Sequence, residues 1–357
     1  MNIKNPLLGT LLVTALGFTA ATASASTVTF RIGAGHPTSA GWIENITTFF
    51  MPQVSERFEK ELGVKVRWVE NWGSSVCKLG ECLEAVEAGL LDMAEVEAVF
   101  EPSKLMPHNF SVFVPFSTGS PEIAAKIYRE IYETEPALTE ILEEDYNQVY
   151  IGGTMLSSYG LVTTFTWDTI EDLKGRKLAA AGPNLPWVSS IGAVPVQSSL
   201  NEGYTSMQTG VYDGWTISPD GASSFKLEEV SKQYTITNFG AIHTPLLTMN
   251  RDKWKSLTGD QQRIIREVAD EWIEYAGKHI QKKQEQAIAH MEAKGLRIKR
   301  LTEEERSAWA NMLPNIPKER IAEISQRGFM GAETVIPTYI ELLKKHGLTL
   351  PRDWLAE

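Results

Sequence analysis

Cysteine is scarce in this 357-residue chain, which has two, Cys77 and Cys82. With no histidine nearby, the pair argues against a structural zinc site, because such a site takes four cysteine or histidine ligands. A basic excess is missing too, since 45 acidic residues outnumber 34 lysines and arginines and give a net charge of -11. Nucleic acid and anionic lipid attract basic surfaces, so neither is an expected partner.

Long apolar runs are also missing. The apolar run at residues 7–18 is shorter than the roughly 20 residues that a membrane-spanning helix needs. It follows Lys4 and precedes the small residues 23–25, which is the order of a secretory signal peptide and its cleavage site. We predict a signal peptide over residues 1–25 and an exported chain that begins at Ser26 and does not insert into the membrane. The rival interpretation is an uncleaved N-terminal anchor.

Export bears on the two cysteines, because an exported chain meets an oxidising compartment in which they can pair. We predict a local disulfide between Cys77 and Cys82. So short a ring removes little chain entropy, and its expected role is to shape one turn.

Motifs of common enzymes are absent as well. The sequence contains no Gly-x-Ser-x-Gly elbow, His-Glu-x-x-His zinc motif or phosphate-binding loop. Gly33 and Gly35 give half of a dinucleotide fingerprint, but His36 and Pro37 follow where a helix and a third glycine are needed. We therefore predict no cofactor and no enzyme activity. An enzyme on a similar scaffold stays as the distant alternative, because paired carboxylates have no fixed spacing.

Strands and helices alternate along the rest of the chain. Residues 28–33 and 64–70 alternate as strands on either side of a helix over residues 40–62. The pattern recurs in a second half, with strands at residues 149–155 and 177–181. This order predicts α/β lobes with largely parallel sheets covered by helices. The roughly 330 exported residues exceed what one core usually holds, so we expect two lobes.

The last third of the chain reads as mostly helical. Residues 258–294 are almost free of glycine and proline and carry apolar residues at helical spacing, which predicts one long helix that braces both lobes. Thr302 followed by Glu305 predicts a capped helix start, and residues 316–346 continue as helix. We divide the exported chain into 26–155, mostly the first lobe, 156–245, mostly the second, and 246–357, a returning strand, the long helix and C-terminal helices shared by both.

Seven segments together resemble a known family. They are residues 84–93, 113–116, 172–178, 191–196, 201–204, 207–214 and 247–254. In the order and spacing of their residues they resemble TRAP (tripartite ATP-independent periplasmic) transporter solute-binding proteins, and the resemblance covers essentially the whole exported chain. The resemblance implies a periplasmic receptor with two α/β lobes, crossing strands and a long bracing helix. It also implies a cleft that closes on a small molecule, which is then delivered to small and large membrane subunits.

One departure from the family pattern bears on the ligand. Members usually carry an arginine two residues after the lysine that corresponds to Lys177, where it holds the carboxylate of an organic acid. Here that position is Ala179, and Arg176 lies at an odd offset, so on a strand it points to the opposite face. The asparagine expected after the Asp-Gly pair is replaced by Trp215. The usual carboxylate clamp is therefore missing.

The side chains that remain near the expected cleft are acidic and aromatic. Glu97 occupies a position that resembles a family ligand contact, and Glu95 shares its strand face. An ammonium group over an indole gains about 0.5–2 kcal/mol, and a buried carboxylate offsets the cost of dehydrating it. We predict that a small amine, amino alcohol or quaternary ammonium compound binds at Glu97, Trp72, Trp215, Trp187, Glu95, Tyr159, Asp220, Phe239 and His36.

Two alternatives accompany this ligand prediction. An organic or aromatic acid could bind through Ser157, Ser158, Ser218, Asn184 or the amides of a helix N-terminus. Each tryptophan also fits a packing role in the core, and the two glutamates also fit a solvated strand edge.

Overall fold

The computed structural model describes Met1 and residues 26–243 and 245–356. Apart from Met1, the predicted signal peptide lies outside the described residues, and its cleavage stays a prediction. Within the described part of the chain, no helix is both long enough and apolar enough to cross a membrane.

The first sheet has five strands in the order β2-β1-β3-β10-β4. Their bounds are Thr27–Ala34 for β1, Lys65–Asn71 for β2, Met93–Glu97 for β3, Gln148–Gly153 for β4 and Pro245–Asn250 for β10. β1 runs parallel to β2 and β3, whereas β10 is antiparallel to β3 and β4. β10 thus enters the sheet from the opposite direction, as a strand returning from elsewhere in the fold.

The second sheet has six strands in the order β11-β9-β5-β8-β6-β7. Their bounds are Gly160–Thr163 for β5, Lys177–Ala180 for β6, Val194–Gln197 for β7, Gly214–Ile217 for β8, Gln233–Ile236 for β9 and Arg297–Arg300 for β11. Because β10 returns to the first sheet and β11 to the second, the chain crosses between the lobes three times. The predicted two-lobed α/β fold with crossing strands is confirmed, whereas the exact lobe bounds stay a prediction.

The described residues form thirteen α-helices. Their bounds are Gly41–Asn45 for α1, Met51–Leu62 for α2, Cys82–Glu87 for α3, Pro121–Thr134 for α4, Pro136–Glu140 for α5, Pro186–Ser189 for α6, Leu200–Gln208 for α7, Pro219–Ser224 for α8, Arg251–Lys255 for α9, Gly259–Ala293 for α10, Glu303–Met312 for α11, Ile316–Gln326 for α12 and Val335–Lys345 for α13. A π-helical turn, Ile46–Phe50, joins α1 to α2. The helix predicted over residues 40–62 therefore runs almost unbroken.

The long helix α10 starts at a capping box. The Thr258 hydroxyl accepts a hydrogen bond from the Gln261 amide at 3.3 Å, and the Gln261 side chain accepts one from the Thr258 amide at 3.0 Å. The helix packs against α1, α2, α4 and β4 and also against α8 and β11, so it contacts elements of both lobes. The predicted bracing helix is confirmed.

The region 316–346, predicted to be helical, contains two helices. α12 and α13 are separated by residues 327–334, where Gly328 and Gly331 adopt φ values of 75° and 70°. A left-handed backbone ends an α-helix, and glycine adopts it without steric cost. These two glycines therefore interrupt an otherwise helical pattern.

Candidate functional site

A cavity lies where strand ends of the two sheets meet. It encloses about 580 Å³ of empty space, part of it open to solvent. Glu97 ends β3 on one side, and Ser198 follows β7 on the other. Open α/β sheets place ligands at the carboxyl ends of their strands. The lining residues are His36, Trp42, Glu97, Val99, Phe100, Val112, Leu156, Tyr159, Ala181, Asn184, Ser198, Ser199, Leu200, Trp215, Thr216, Ile217 and Ile242.

The wall of this cavity is mostly aromatic and aliphatic. Its polar members include one acid, one imidazole, one amide and four hydroxyl groups, and among the described residues no lysine or arginine lines it. Small-molecule sites commonly combine such an apolar lining with a few polar groups that fix orientation. The wall therefore suits a small ligand and has no basic side chain for an anion.

Besides the His36 Nδ1, three buried polar atoms of lining residues have no hydrogen-bond partner within the described chain. They are the Trp42 indole Nε1, the Asn184 Oδ1 and the Thr216 Oγ1. Buried polar atoms are seldom left unpaired. One donor, one acceptor and one hydroxyl that can do both are thus available to a ligand.

The acidic end of the cavity is a cluster of His36, Glu95 and Glu97. One ligating atom from each lies within 4.8 Å of the others, and the His36 Nδ1 is 3.5 Å from a Glu97 carboxylate oxygen. Burial lowers the pKa of His36, although the Glu97 charge acts in the opposite direction. Burial, followed by the charge of Glu97, holds the pKa of Glu95 well above its usual range. Glu97 is the acid of this cluster that lines the cavity.

A second, smaller cavity of about 200 Å³ lies behind Glu97. It is lined by Gly35, Leu79, Gly80, Cys82, Glu95, Val96, Glu97 and Glu101. The predicted Cys77–Cys82 disulfide is confirmed, with 5.0 Å between its Cα atoms, and it holds the loop that contains Leu79. This loop approaches β1 so closely that a Cβ on Gly35 would lie 2.8 Å from the Leu79 backbone nitrogen.

Four of the nine predicted ligand residues line the main cavity. They are His36, just after β1, Glu97 at the end of β3, Tyr159 just before β5 and Trp215 within β8. Burial raises the pKa of the Tyr159 hydroxyl, and the charges of Glu97 and Asp220 add to that effect. Asp220 itself accepts a hydrogen bond from the Ser157 hydroxyl. Two acidic side chains therefore flank Tyr159.

The structure places the other predicted residues outside the main cavity wall. Trp187 and Phe239 are fully buried and stack with their centroids 5.0 Å apart, while the Trp187 indole donates to the Val112 carbonyl at 3.2 Å. Glu95 lies in the smaller cavity. Trp72 is half-buried and donates to a Glu70 carboxylate oxygen at 2.7 Å.

The position of the missing arginine is fully buried. Ala179 lies in β6 and does not reach the cavity wall, whereas Ala181, just beyond the strand, lines it. Arg176 stacks on the Phe165 ring, with 4.2 Å from its guanidinium carbon to the ring centroid. Arg176 is not among the lining residues, so no basic side chain from this strand faces the cavity.

Several lining residues were not predicted from the sequence as ligand contacts. Trp42 follows the loop after β1, Phe100 follows β3, and Ser198 and Ser199 follow β7. Their positions just beyond strand ends are the same signal that favoured Trp187 and Trp215 as ligand contacts. Thr216 carries no such signal, because it lies inside β8.

The sequence model of the DctP family, described as bacterial extracellular solute-binding protein, family 7, matches residues 43–323. The chain belongs to this family. It is a TRAP-type periplasmic solute-binding receptor, so the resemblance of the seven segments is confirmed. DctP-family proteins bind small molecules and work with membrane subunits, and they are transport proteins rather than enzymes.

Relatives of this DctP-family chain bind several kinds of solute. It is 30% identical over 280 residues, 73% of this chain and 77% of the relative, to the C4-dicarboxylate-binding periplasmic protein DctP of Rhodobacter capsulatus. It is 26% identical over 261 residues, 70% of this chain and 75% of the relative, to the ectoine-binding periplasmic protein TeaA of Halomonas elongata. A solved TRAP solute-binding protein from an unidentified marine microbe, specific for aromatic acids and complexed with 3-hydroxybenzoate, matches with a TM-score of 0.77 at 21% identity over 90% of this chain and 99% of that protein.

Proposed function

We propose that this receptor captures a small cation, namely an amine, amino alcohol or quaternary ammonium compound, and delivers it to the small and large membrane subunits of a TRAP transporter. The observation that carries the proposal is the charge of the cavity wall. Glu97 lines it, and among the described lining residues no lysine or arginine does.

The aromatic part of the wall supports the same ligand class. Trp42, Tyr159 and Trp215 line the cavity together with Glu97. An ammonium group that leaves water needs a counter-charge, and an aromatic face contributes about 0.5–2 kcal/mol more. Asp220, whose charge reaches the Tyr159 hydroxyl, adds a second acid beyond the wall. A cation would meet favourable electrostatics from both acids.

An organic or aromatic acid is the second candidate, because the solved relative named above binds 3-hydroxybenzoate in the same fold. Of the four donors predicted for an acid, Asn184 lines the cavity. The Ser157 hydroxyl donates to Asp220, and the Ser218 hydroxyl accepts from the Gly221 amide at 3.4 Å. An acid in this cavity would also face Glu97, which disfavours it as long as nothing neutralises that carboxylate.

Calorimetric titration of refolded, ligand-free protein separates the two candidates. Choline, ethanolamine, succinate and benzoate are titrated in the presence of a chelator. We expect an amine to bind and the acids not to bind. Glu97→Gln should weaken amine binding by at least about 30-fold, since removing one partner of a buried charge pair costs about 2 kcal/mol or more.

The matched control is Glu228→Gln. Glu228 is likewise a buried glutamate, 3.4 Å from the ring of His290, but it does not line the cavity. This variant should bind the amine as the wild type does. Tight binding of succinate or benzoate that Glu97→Gln leaves unchanged would overturn the proposal in favour of an acid ligand.

A further inference from the structure

We propose that His36, Glu95 and Glu97 form a binding site for a divalent transition metal ion, with zinc the best-fitting ion, at the boundary between the two cavities. The inference goes beyond the proposed function, because it requires no organic ligand. It rests on the geometry of the three side chains and on buried atoms that lack partners.

The three side chains supply one imidazole nitrogen and two carboxylates. Glu95 and Glu97 occupy alternate positions of β3 and so share one face of the sheet, and His36 lies in the loop that follows β1, the strand paired with β3. One donor atom from each lies within 4.8 Å of the others. Zinc binds nitrogen and oxygen at about 2.0–2.2 Å, so small side-chain rotations bring all three donors to one ion.

Unsatisfied buried atoms point independently to a bound cation. His36 and Glu95 are only 6% and 1% exposed. Within the described chain, the His36 Nδ1 and both Glu95 carboxyl oxygens make no hydrogen bond of ordinary geometry, and Glu95 interacts instead with a second acid, Glu97. A buried carboxyl group without a partner is costly. A metal ion in the middle of the cluster would satisfy all three atoms at once.

The basic side chain near this cluster is engaged elsewhere. Lys104 lies 3.1 Å from a carboxylate oxygen of Glu101, the remaining acid of the smaller cavity, and also pairs with Glu84. Neither of these contacts reaches Glu95. Lys104 therefore does not neutralise Glu95.

The donor set also selects the kind of metal. Calcium and magnesium prefer six or more oxygen ligands, whereas a histidine with carboxylates suits zinc and other first-row transition metals. Three protein ligands leave an open coordination position. Because Glu97 lines the main cavity, a ligand there could occupy that position. A metal would then let the cavity accept a carboxylate, and it would compete with an amine for Glu97.

The test uses the full protein purified from the periplasm, stripped of metal with a chelator and dialysed. It is titrated calorimetrically with zinc alone and, separately, with calcium alone, and bound metal is counted by elemental analysis after gel filtration. We expect one equivalent of zinc and no calcium. Glu95→Gln keeps the shape of the side chain and should weaken zinc binding by at least about tenfold. Substitution of residues that only support the metal ligands already costs about that much affinity, so loss of a ligand should cost no less.

His279→Gln is the matched control, because its ring also lies near a carboxylate, 3.6 Å from Glu44, but away from both cavities. This variant should keep its zinc. Less than a tenth of an equivalent in the wild type, or unchanged affinity in Glu95→Gln, would overturn the site.

A cobalt(II) spectrum of the wild type decides the matter if Glu95→Gln does not fold. Intense visible absorption typical of a low-coordinate nitrogen and oxygen site supports the proposal, and the weak spectrum of hydrated cobalt refutes it. Because no organic ligand is present, either result stands apart from the outcome of the amine titration.

Discussion

At the residue scale, the cavity wall depends on a few aromatic side chains whose surroundings differ. Trp215 packs edge-on against Tyr212, with ring centroids 5.5 Å apart, and lines the cavity. Trp72 lies outside the wall, where its indole donates to Glu70. The sequence assigned both tryptophans to the ligand. The structure places Trp215 in the cavity wall and Trp72 outside it.

Trp215→Leu tests the aromatic contribution to binding. The substitution removes an indole face that would gain about 0.5–2 kcal/mol from an ammonium group. Choline affinity should therefore fall by about 2- to 30-fold, as measured by calorimetry on protein shown by thermal melting to be folded. Trp72→Leu is the control and should leave the affinity unchanged. A larger loss in Trp72→Leu than in Trp215→Leu would show that the ligand binds outside this cavity.

Chain position predicted some contact residues and missed others for a definite reason. Glu97 was predicted because its position resembles a family ligand contact, and Trp215 because residues just beyond strand ends of open α/β sheets tend to face ligands. Trp187 and Phe239 were assigned by the same reasoning, but Phe239 packs against Trp309 of α11 at 5.2 Å and lies in the core. Local pattern cannot show which aromatic a distant helix will cover, so these two assignments required the three-dimensional structure.

At the element scale, caps and glycines determined which predictions succeeded. The sequence predicted α10 correctly because Thr258 and Gln261 form a capping box before a run free of helix breakers. Residues 316–346 were predicted to be helical without a stated break, and the structure places that break at Gly328 and Gly331, between α12 and α13. Close approaches between elements, such as that of the disulfide loop to β1, have no local sequence signal at all.

Gly35→Ala tests that close approach. The new methyl group would lie 2.8 Å from the Leu79 backbone nitrogen and from a Leu79 methyl group. The loop would have to move, and overpacking of this kind costs about 1–3 kcal/mol. Urea unfolding should show this loss of stability, together with weaker zinc binding, because the loop covers the cavity behind Glu97.

Gly259→Ala is the paired control for Gly35→Ala. Gly259 is the first residue of α10, and a Cβ there meets nothing within 4 Å. This variant should unfold at the same urea concentration as the wild type or at a higher one. Its free energy of unfolding should rise by up to about 1 kcal/mol, because alanine restricts the unfolded chain. Equal stability of the two variants would mean that the loop does not press on β1.

At the scale of the whole molecule, a buried hydrogen-bond chain lies where the backbone returns from the second sheet to the first. The His243 Nδ1 is 2.7 Å from the Thr154 carbonyl and therefore donates to it. The Tyr132 hydroxyl then donates to the His243 Nε2 at 3.3 Å and accepts from the His108 Nδ1 at 2.7 Å. This arrangement needs His243 neutral, because its ring donates through one nitrogen and accepts through the other. Tyr128, Tyr150 and Tyr339 surround it, and burial raises the pKa of each tyrosine.

Both histidines make folding sensitive to acid. Burial lowers the pKa of His243 to about 4, and burial with the neighbouring His243 lowers that of His108 to about 3. In the unfolded chain a histidine has a pKa near 6.5. Between that pH and its lowered pKa in the folded protein, the histidine is protonated only in the unfolded chain. Each therefore contributes stability that is complete above about pH 6.5 and is lost as the pH falls toward its folded pKa, at about 1.4 kcal/mol per pH unit.

Two buried carboxyl groups act in the opposite direction over the same pH range, so the wild-type profile alone is not diagnostic. Burial raises the pKa of Glu101 to about 7 and that of Glu95 well above its usual range, and such groups lose their contribution to folding stability as the pH rises.

The informative quantity is the difference in free energy of unfolding between the wild type and His243→Gln, measured in urea. The stability advantage of the wild type should shrink by about 3 kcal/mol between pH 7 and pH 4. His290→Gln serves as the control substitution, because it replaces a partly exposed ring instead of a buried one. If the His243→Gln difference stayed constant with pH, His243 would be protonated in the folded protein and the donor order described for this chain would be wrong.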